Sequence, residues 1–287
     1  MPHIVDTLIE ERAEQLMRHP LIWRAIKKLI YPVLGYTRAI EVIDFVWDMK
    51  ALDVFDYVSE TLQMKLECEG LENLPAHGLV IVLANHPAGI ADGIAVFDAF
   101  KNIRRDLSFF ANRDAVRVCP DLREMIVPVE WIDDKRDHAK RKETVRGLLK
   151  AVRNERVIVI FPSGRLAKPT WRGLVEREWQ PTAMTLALRY ACPVIPMHVR
   201  GRNSAVYYLF YLLHSELRDM TLFRELFNKQ GQRYQITLAK PFVASGDAES
   251  LSVELRRFVV EEMPRGSREF HLVKDSKNPA QADQARS

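Results

Sequence analysis

The strongest constraint on the fold is a change of hydrophobic period near Met64. Before it, apolar residues recur at helical spacing; after it, they come in short runs bounded by turn residues. The runs predict strands at KLECEG (65–70), LVIVLA (79–84), LSFFA (107–111), IVPVEW (126–131), VIVIF (157–161), PVIPMHV (193–199) and YQITLA (234–239). Helical stretches fall between them, near 90–101, 137–153, 179–190, 217–229 and 248–262. Buried strands alternating with helices are the α/β pattern, and open sheets of that class bind ligands at the carboxyl ends of their strands. Turn chemistry directly after a buried run is therefore where function is sought.

Ahead of that domain, Ile22, Trp23, Ile26, Leu29, Ile30 and Val33 share a helical face. Pro32 and Gly35 break the pattern, and Ile40, Ile43, Val46, Trp47, Leu52, Phe55, Val58 and Leu62 restart it, which predicts an N-terminal helical hairpin over 1–63. Trp23 and Trp47 beside basic residues fit contact with a membrane surface, and packing on the core fits equally; the second helix is assigned to the core. The α/β domain then spans 64–265, and 266–287, ending in KDSKNPAQADQARS, has too little to bury and reads as a flexible tail.

Composition narrows the class. With 47% apolar and 28% charged residues the chain is globular, and a net charge of +4 is too mild for a nucleic-acid binder but suits an anionic membrane face. Cys68, Cys119 and Cys192 lie far apart, an odd and scattered set that makes neither a disulfide framework nor a metal site. The first twenty residues carry Asp6, Glu10, Glu11, Arg12 and Glu14 and no signal-peptide core, so a cytoplasmic location is expected. The longest apolar stretch, AVYYLFYLL at 205–213, is about half of what a membrane span needs and is assigned to core packing.

Two strand-to-helix junctions carry chemistry. ANHPAGIADG (84–93) follows LVIVLA, so His86 emerges where a strand ends, Pro87 and Gly89 shape a tight turn, and Asp92 falls in the first turn of the next helix. A carboxylate there can orient the imidazole and stabilise its protonated form, making His86 a proton-abstracting base. No G-x-S-x-G elbow is present, so a protein nucleophile is not implied. FPSGR (161–165) follows VIVI: Ser163 and Gly164 make a turn whose N–H groups can face an anion, and Arg165 adds a fork suited to phosphate. Asn112 and Arg113, leaving a third strand in FFANR, are further candidates on the same rim.

In this order the blocks NHPAGIADG, FFANR, FPSGR and PVIPMHV, with the lead-in GLENLPAHG (70–78), resemble the PlsC-like lysophospholipid and glycerol-phosphate acyltransferase family. The likeness covers roughly Met64 to Lys240. Two features depart from the usual pattern: five residues rather than four separate His86 and Asp92, and Ser163 stands where the third block commonly has Glu.

The resemblance implies a mixed, largely parallel central sheet flanked by helices, and an O-acyltransferase working at the cytoplasmic membrane face. His86 would deprotonate an acceptor hydroxyl, Asp92 would hold the ring, and backbone donors near Gly89 or Gly164 would meet the oxyanion. Asn112, Arg113, Ser163, Gly164 and Arg165 are expected to bind substrate. Acyl-CoA or acyl carrier protein would donate, with no other cofactor and no metal. The favoured acceptor is 1-acylglycerol-3-phosphate; glycerol phosphate, another lysophospholipid or a lyso-ornithine lipid are alternatives. The rival reading is a lipid-binding or scaffolding protein of the same fold that catalyses nothing, motivated by Ser163 and the longer His–Asp spacing.

Overall fold

The structure is a computed structural model that describes residues 2–130, 138–171 and 173–271. The N-terminal segment departs from the expected hairpin and forms α1 (Ile4–Glu10), α2 (Glu14–Met17), α3 (Pro20–Leu29), α4 (Tyr36–Val46) and α5 (Ala51–Leu62). In α1, Val5, Leu8 and Ile9 are buried at spacings of three and one, which gives this stretch a buried helical face. The second apolar run divides between Trp47 and Lys50 because the α5 start is capped from elsewhere: the Ala51 N–H donates to Asp121 Oδ2 at 2.8 Å. The expected face of α3 is only partly used. Ile26 is buried, whereas Leu21 is 79% exposed and Ile22, Leu29 and Val33 are exposed with it.

Ten strands follow among the described residues: β1 (Lys65–Glu69), β2 (Val80–Ala84), β3 (Leu107–Asn112), β4 (Ile126–Val129), β5 (Val157–Ile160), β6 (Lys168–Thr170), β7 (Gly173–Val175), β8 (Pro193–Arg200), β9 (Arg233–Leu238) and β10 (Phe242–Val243). All seven expected strands are present, the fourth ending at Val129, with Trp131 outside the described residues. The main sheet has the order β1-β9-β8-β2-β5-β3-β4, and β10 pairs with the first part of β8. β8, β2, β5, β3 and β4 are parallel, while β9 and β10 run antiparallel to β8, giving the mixed, largely parallel sheet. β6 and β7 form a separate hairpin.

The helices of this part are α6 (Ile90–Phe100), α7 (Asp114–Val118), α8 (His138–Arg153), α9 (Thr182–Tyr190), α10 (Ala205–Leu213), α11 (Ser215–Asp219), α12 (Leu222–Phe227) and α13 (Ala248–Arg257). They cover both faces of the sheet, which is why its central strands read as unbroken apolar runs rather than alternating ones. Val80, Val82 and Ala84 of β2 join Val157 and Val159 of β5 under α5 and α6, with Phe97 and Phe55. Ile81, Leu83, Ile158 and Ile160 pack on the other face against α9 and α13. A third cluster joins α1, α3 and α4 to Met220 and Phe227.

Two expectations are corrected. The AVYYLFYLL stretch becomes α10 but is not core: among its large residues Tyr207 is buried, while Leu212 is 82% exposed and Leu209 and Leu213 are exposed beside it. The helix is apolar on nearly every side, so its sequence carries no polar face to mark the solvent side. The tail also begins later than 266. Phe270 packs on Phe242 and Phe258 at ring distances of 4.8 and 5.4 Å, and the Lys240 N–H donates to the Arg268 carbonyl at 2.8 Å. The KDSKNPAQADQARS segment lies outside the described residues.

Candidate active site

The site grows out of the strand register. Leu83 lies opposite Ile160, so the chain leaving β2 at His86 and the chain leaving β5 at Ser163 run side by side at the carboxyl edge of the sheet. Asn85 ties this edge to β8: its amide nitrogen donates to the Val199 carbonyl and its oxygen accepts from the Val199 N–H, each at 2.8 Å. Beyond it the backbone turns through Gly89 (φ +92°, ψ −135°), a conformation that essentially only glycine adopts.

That turn aims three donors at one oxygen. Asp92 Oδ2 accepts from the Ala88 and Gly89 N–H groups at 2.8 and 2.9 Å and meets His86 Nδ1 at 3.0 Å. Asp92 is fully buried at the start of α6, whereas the His86 side chain is 19% exposed. A carboxylate facing Nδ1 places the proton there and leaves Nε2 with its lone pair. The imidazole is further fixed by stacking on Phe161, with ring centres 4.3 Å apart and planes 22° from parallel. The Ala167 N–H donates to the His86 carbonyl at 2.9 Å, joining the two junctions through the backbone.

The other expected residues are placed unevenly. Ser163 is buried and its hydroxyl donates to the Arg165 carbonyl at 2.9 Å, shaping the turn. Arg165 is exposed at that turn, and among the described residues nothing holds its guanidinium. Arg113, by contrast, is bound to Glu143 of α8 and to the Lys140 carbonyl, so it is engaged away from the His86 turn. Burial would raise the Glu143 carboxyl, but hydrogen bonds from Arg123 and Arg113 hold it below the usual range. Asn112 caps a local turn, its Oδ1 accepting from the Asp114 N–H at 3.0 Å. The Gly89 N–H is taken by Asp92, and the Gly164 N–H by the Phe161 carbonyl at 2.9 Å, so neither is free for an oxyanion in this arrangement. Two cavities, about 260 and 380 Å³, lie elsewhere, one beside α5 at Arg105 and Arg156, the other along α8.

Sequence reasoning missed Glu176. It leaves the β6–β7 hairpin and turns back under the site, where its Oε2 accepts from the His86 N–H and its Oε1 from Trp179 Nε1, both at 3.1 Å. Burial pushes its carboxyl above the ordinary range, against the hydrogen bonds from His86 and Trp179. The folded protein therefore holds that proton more tightly than the unfolded chain does. Its contribution favours folding below the unfolded pKa and is lost as pH rises through the folded one. Glu176→Gln removes this titration, so the melting temperature of the wild type relative to the variant falls as pH rises from the ordinary carboxylate range through the raised folded-state value. Calorimetry of both proteins showing a difference independent of pH would contradict it.

Residues 65–200 match the family described as Acyltransferase. The lyso-glycine lipid O-acyltransferase of Phocaeicola vulgatus is 25% identical over 198 residues, covering 66% of this chain and 68% of that protein. The lyso-glycine lipid O-acyltransferase of Bacteroides thetaiotaomicron is 24% identical over 202 residues, covering 68% of this chain and 72% of its own. The crystal structure of the 1-acyl-sn-glycerophosphate (LPA) acyltransferase, PlsC, from Thermotoga maritima aligns over 91% of this chain and 99% of that one, with 14% identity and a TM-score of 0.47.

Proposed function

The chain belongs to the PlsC-like acyltransferase family, and from that premise we propose that it moves an acyl group from a thioester donor to the hydroxyl of a single-chain lipid. The observation that carries the chemistry is the geometry of Asp92: fully buried, held by two backbone N–H groups and turned onto His86 Nδ1, while the ring opens to solvent. His86 Nε2 takes the acceptor's proton as its oxygen attacks the thioester carbonyl. The tetrahedral oxyanion collapses by breaking the C–S bond, and the imidazolium returns the proton to the departing thiolate. Asp92 stabilises the imidazolium between those steps. Arg165, the unengaged cation beside His86, meets the acceptor headgroup.

The donor is acyl-CoA or acyl carrier protein, and the acceptor expected from the sequence is 1-acylglycerol-3-phosphate. A lyso-lipid built on glycine is the second reading, favoured by the similarity to the two lyso-glycine lipid O-acyltransferases. The protein meets this substrate at a membrane face. Leu21 and Leu29 of α3 and Leu212 and Leu213 of α10 are exposed, Trp23 and Phe210 of the same helices pack on one cluster, and Arg24 and Lys28 add cations. No helix among the described residues is long and apolar enough to cross a membrane.

The test presents 1-acylglycerol-3-phosphate, an N-acylated glycine lipid with a free hydroxyl, and neutral monoacylglycerol in vesicles, each with acyl-CoA or acyl carrier protein, and reads products by mass spectrometry. Acylated product from an anionic acceptor is expected, and Arg165→Ala raises KM for the phosphate acceptor more than for the neutral one. Absence of product with every pair would favour the non-catalytic lipid-binding reading.

A further inference from the structure

The sheet ladder stops just short of the base. β2 pairs with β5 up to Leu83 and with β8 up to Ala84, and the Asn85 amide extends the join to Val199. His86 lies past the last paired residue, and its N–H goes to a side chain instead. Glu176 Oε2 accepts it at 3.1 Å, arriving from 90 positions along the chain. Glu176 is 4% exposed, and a carboxyl so deeply buried is costly unless both oxygens are used. Both are: Oε1 accepts from the Trp179 indole N–H at 3.1 Å. One donor on each oxygen is an arrangement that a carboxyl serves and an amide does not.

The segment that carries Glu176 is itself braced. Arg256 of α13 donates to the Glu176 carbonyl and, at 2.8 Å, to the Arg177 carbonyl. Arg177 Nε donates to the Leu166 carbonyl at 3.0 Å, and the N–H of the next residue, Ala167, donates to the His86 carbonyl at 2.9 Å. The N–H and the carbonyl of His86 are therefore both bound by the 166–177 segment rather than by a neighbouring strand. With the main chain held, the imidazole has two side-chain torsions left. Asp92 Oδ2 at 3.0 Å and the Phe161 ring, 4.3 Å away between centres, fix them.

We propose that Glu176 is a positioning residue for acyl transfer: by holding the His86 N–H beyond the end of β2, it sets where Nε2 stands relative to the acceptor hydroxyl, without itself touching substrate. The inference rests on reading His86 as the base. A displacement of about 1 Å at a reacting atom costs on the order of a hundredfold in rate, so loss of this anchor is read in kcat. A purely structural glutamate is read in stability alone.

Glu176→Gln keeps the shape of the side chain and leaves one acceptor oxygen for two donors. The expected result is a kcat about tenfold lower with KM for donor and acceptor unchanged. The NMR signal of the His86 amide proton also moves upfield as its acceptor is lost. Combining this change with Trp179→Phe removes the competing donor, so the amide oxygen turns onto the His86 N–H. The kcat of the double variant returns to within about threefold of that of Trp179→Phe alone, although the double variant melts below Glu176→Gln because buried indole surface is lost. Activity and stability then move in opposite directions, which a purely structural role does not produce. Thiol release measures the rates at a temperature where thermal melting shows every variant folded. Wild-type kcat in Glu176→Gln, with His86→Ala inactive, overturns the inference and leaves the function standing. A kcat that falls further in the double variant, in step with its melting temperature, also overturns it. Full activity in His86→Ala removes the base and this inference together.

Discussion

His86→Ala lowers kcat by about two to four orders of magnitude, the range for loss of a positioned base, while the protein remains folded. The asymmetry follows from how the residue is held. Its backbone contributions persist in the variant, because the N–H still donates to Glu176 and the carbonyl still accepts from Ala167. What is lost is a partly exposed imidazole stacked on Phe161, whose removal opens no closed cavity. Release of free thiol from the donor measures the rate, and thermal melting measures the fold. A variant retaining more than about a third of the wild-type rate would remove His86 from the chemistry. A wild type that binds vesicles with lyso-lipid but releases no thiol would favour the scaffolding reading.

How far the sequence reached depends on whether the cause is local. β2 and β5 are legible because each is a continuous apolar run feeding two covered faces, and the His86–Asp92 pair is legible because six positions and one glycine turn bring the side chains together. Glu176 is not legible. It meets the His86 backbone across 90 positions, by way of a hairpin whose strands are three residues each and mostly exposed. The same limit explains Arg113, which reads as a rim cation until α8 folds back and presents Glu143. It also explains the N-terminal helices, whose division depends on Asp121 reaching the start of α5.

Asp92→Asn separates the two things Asp92 can be. As the third residue of α6, accepting two N–H groups of the preceding turn, it is in form a helix cap, and a buried cap alone would account for its position. Asn caps about as well as Asp, and its side-chain oxygen can accept from Ala88 and Gly89 in the same place. Stability should therefore stay near that of the wild type. Asp92→Ala instead leaves both donors buried without a partner, at a cost of about 2 to 5 kcal/mol. Activity should behave differently. The amide carries no charge, so the imidazolium formed when His86 takes the acceptor's proton loses its stabilisation, and kcat falls by about two to four orders of magnitude although the ring and turn remain in place. Paired melting curves and initial rates for the Asn and Ala variants decide the matter. If Asn at this position melts and turns over like the wild type, Asp92 is a cap and nothing more. If it melts like the wild type and fails to turn over, the negative charge beside Nδ1 is what the α6 turn was built to hold.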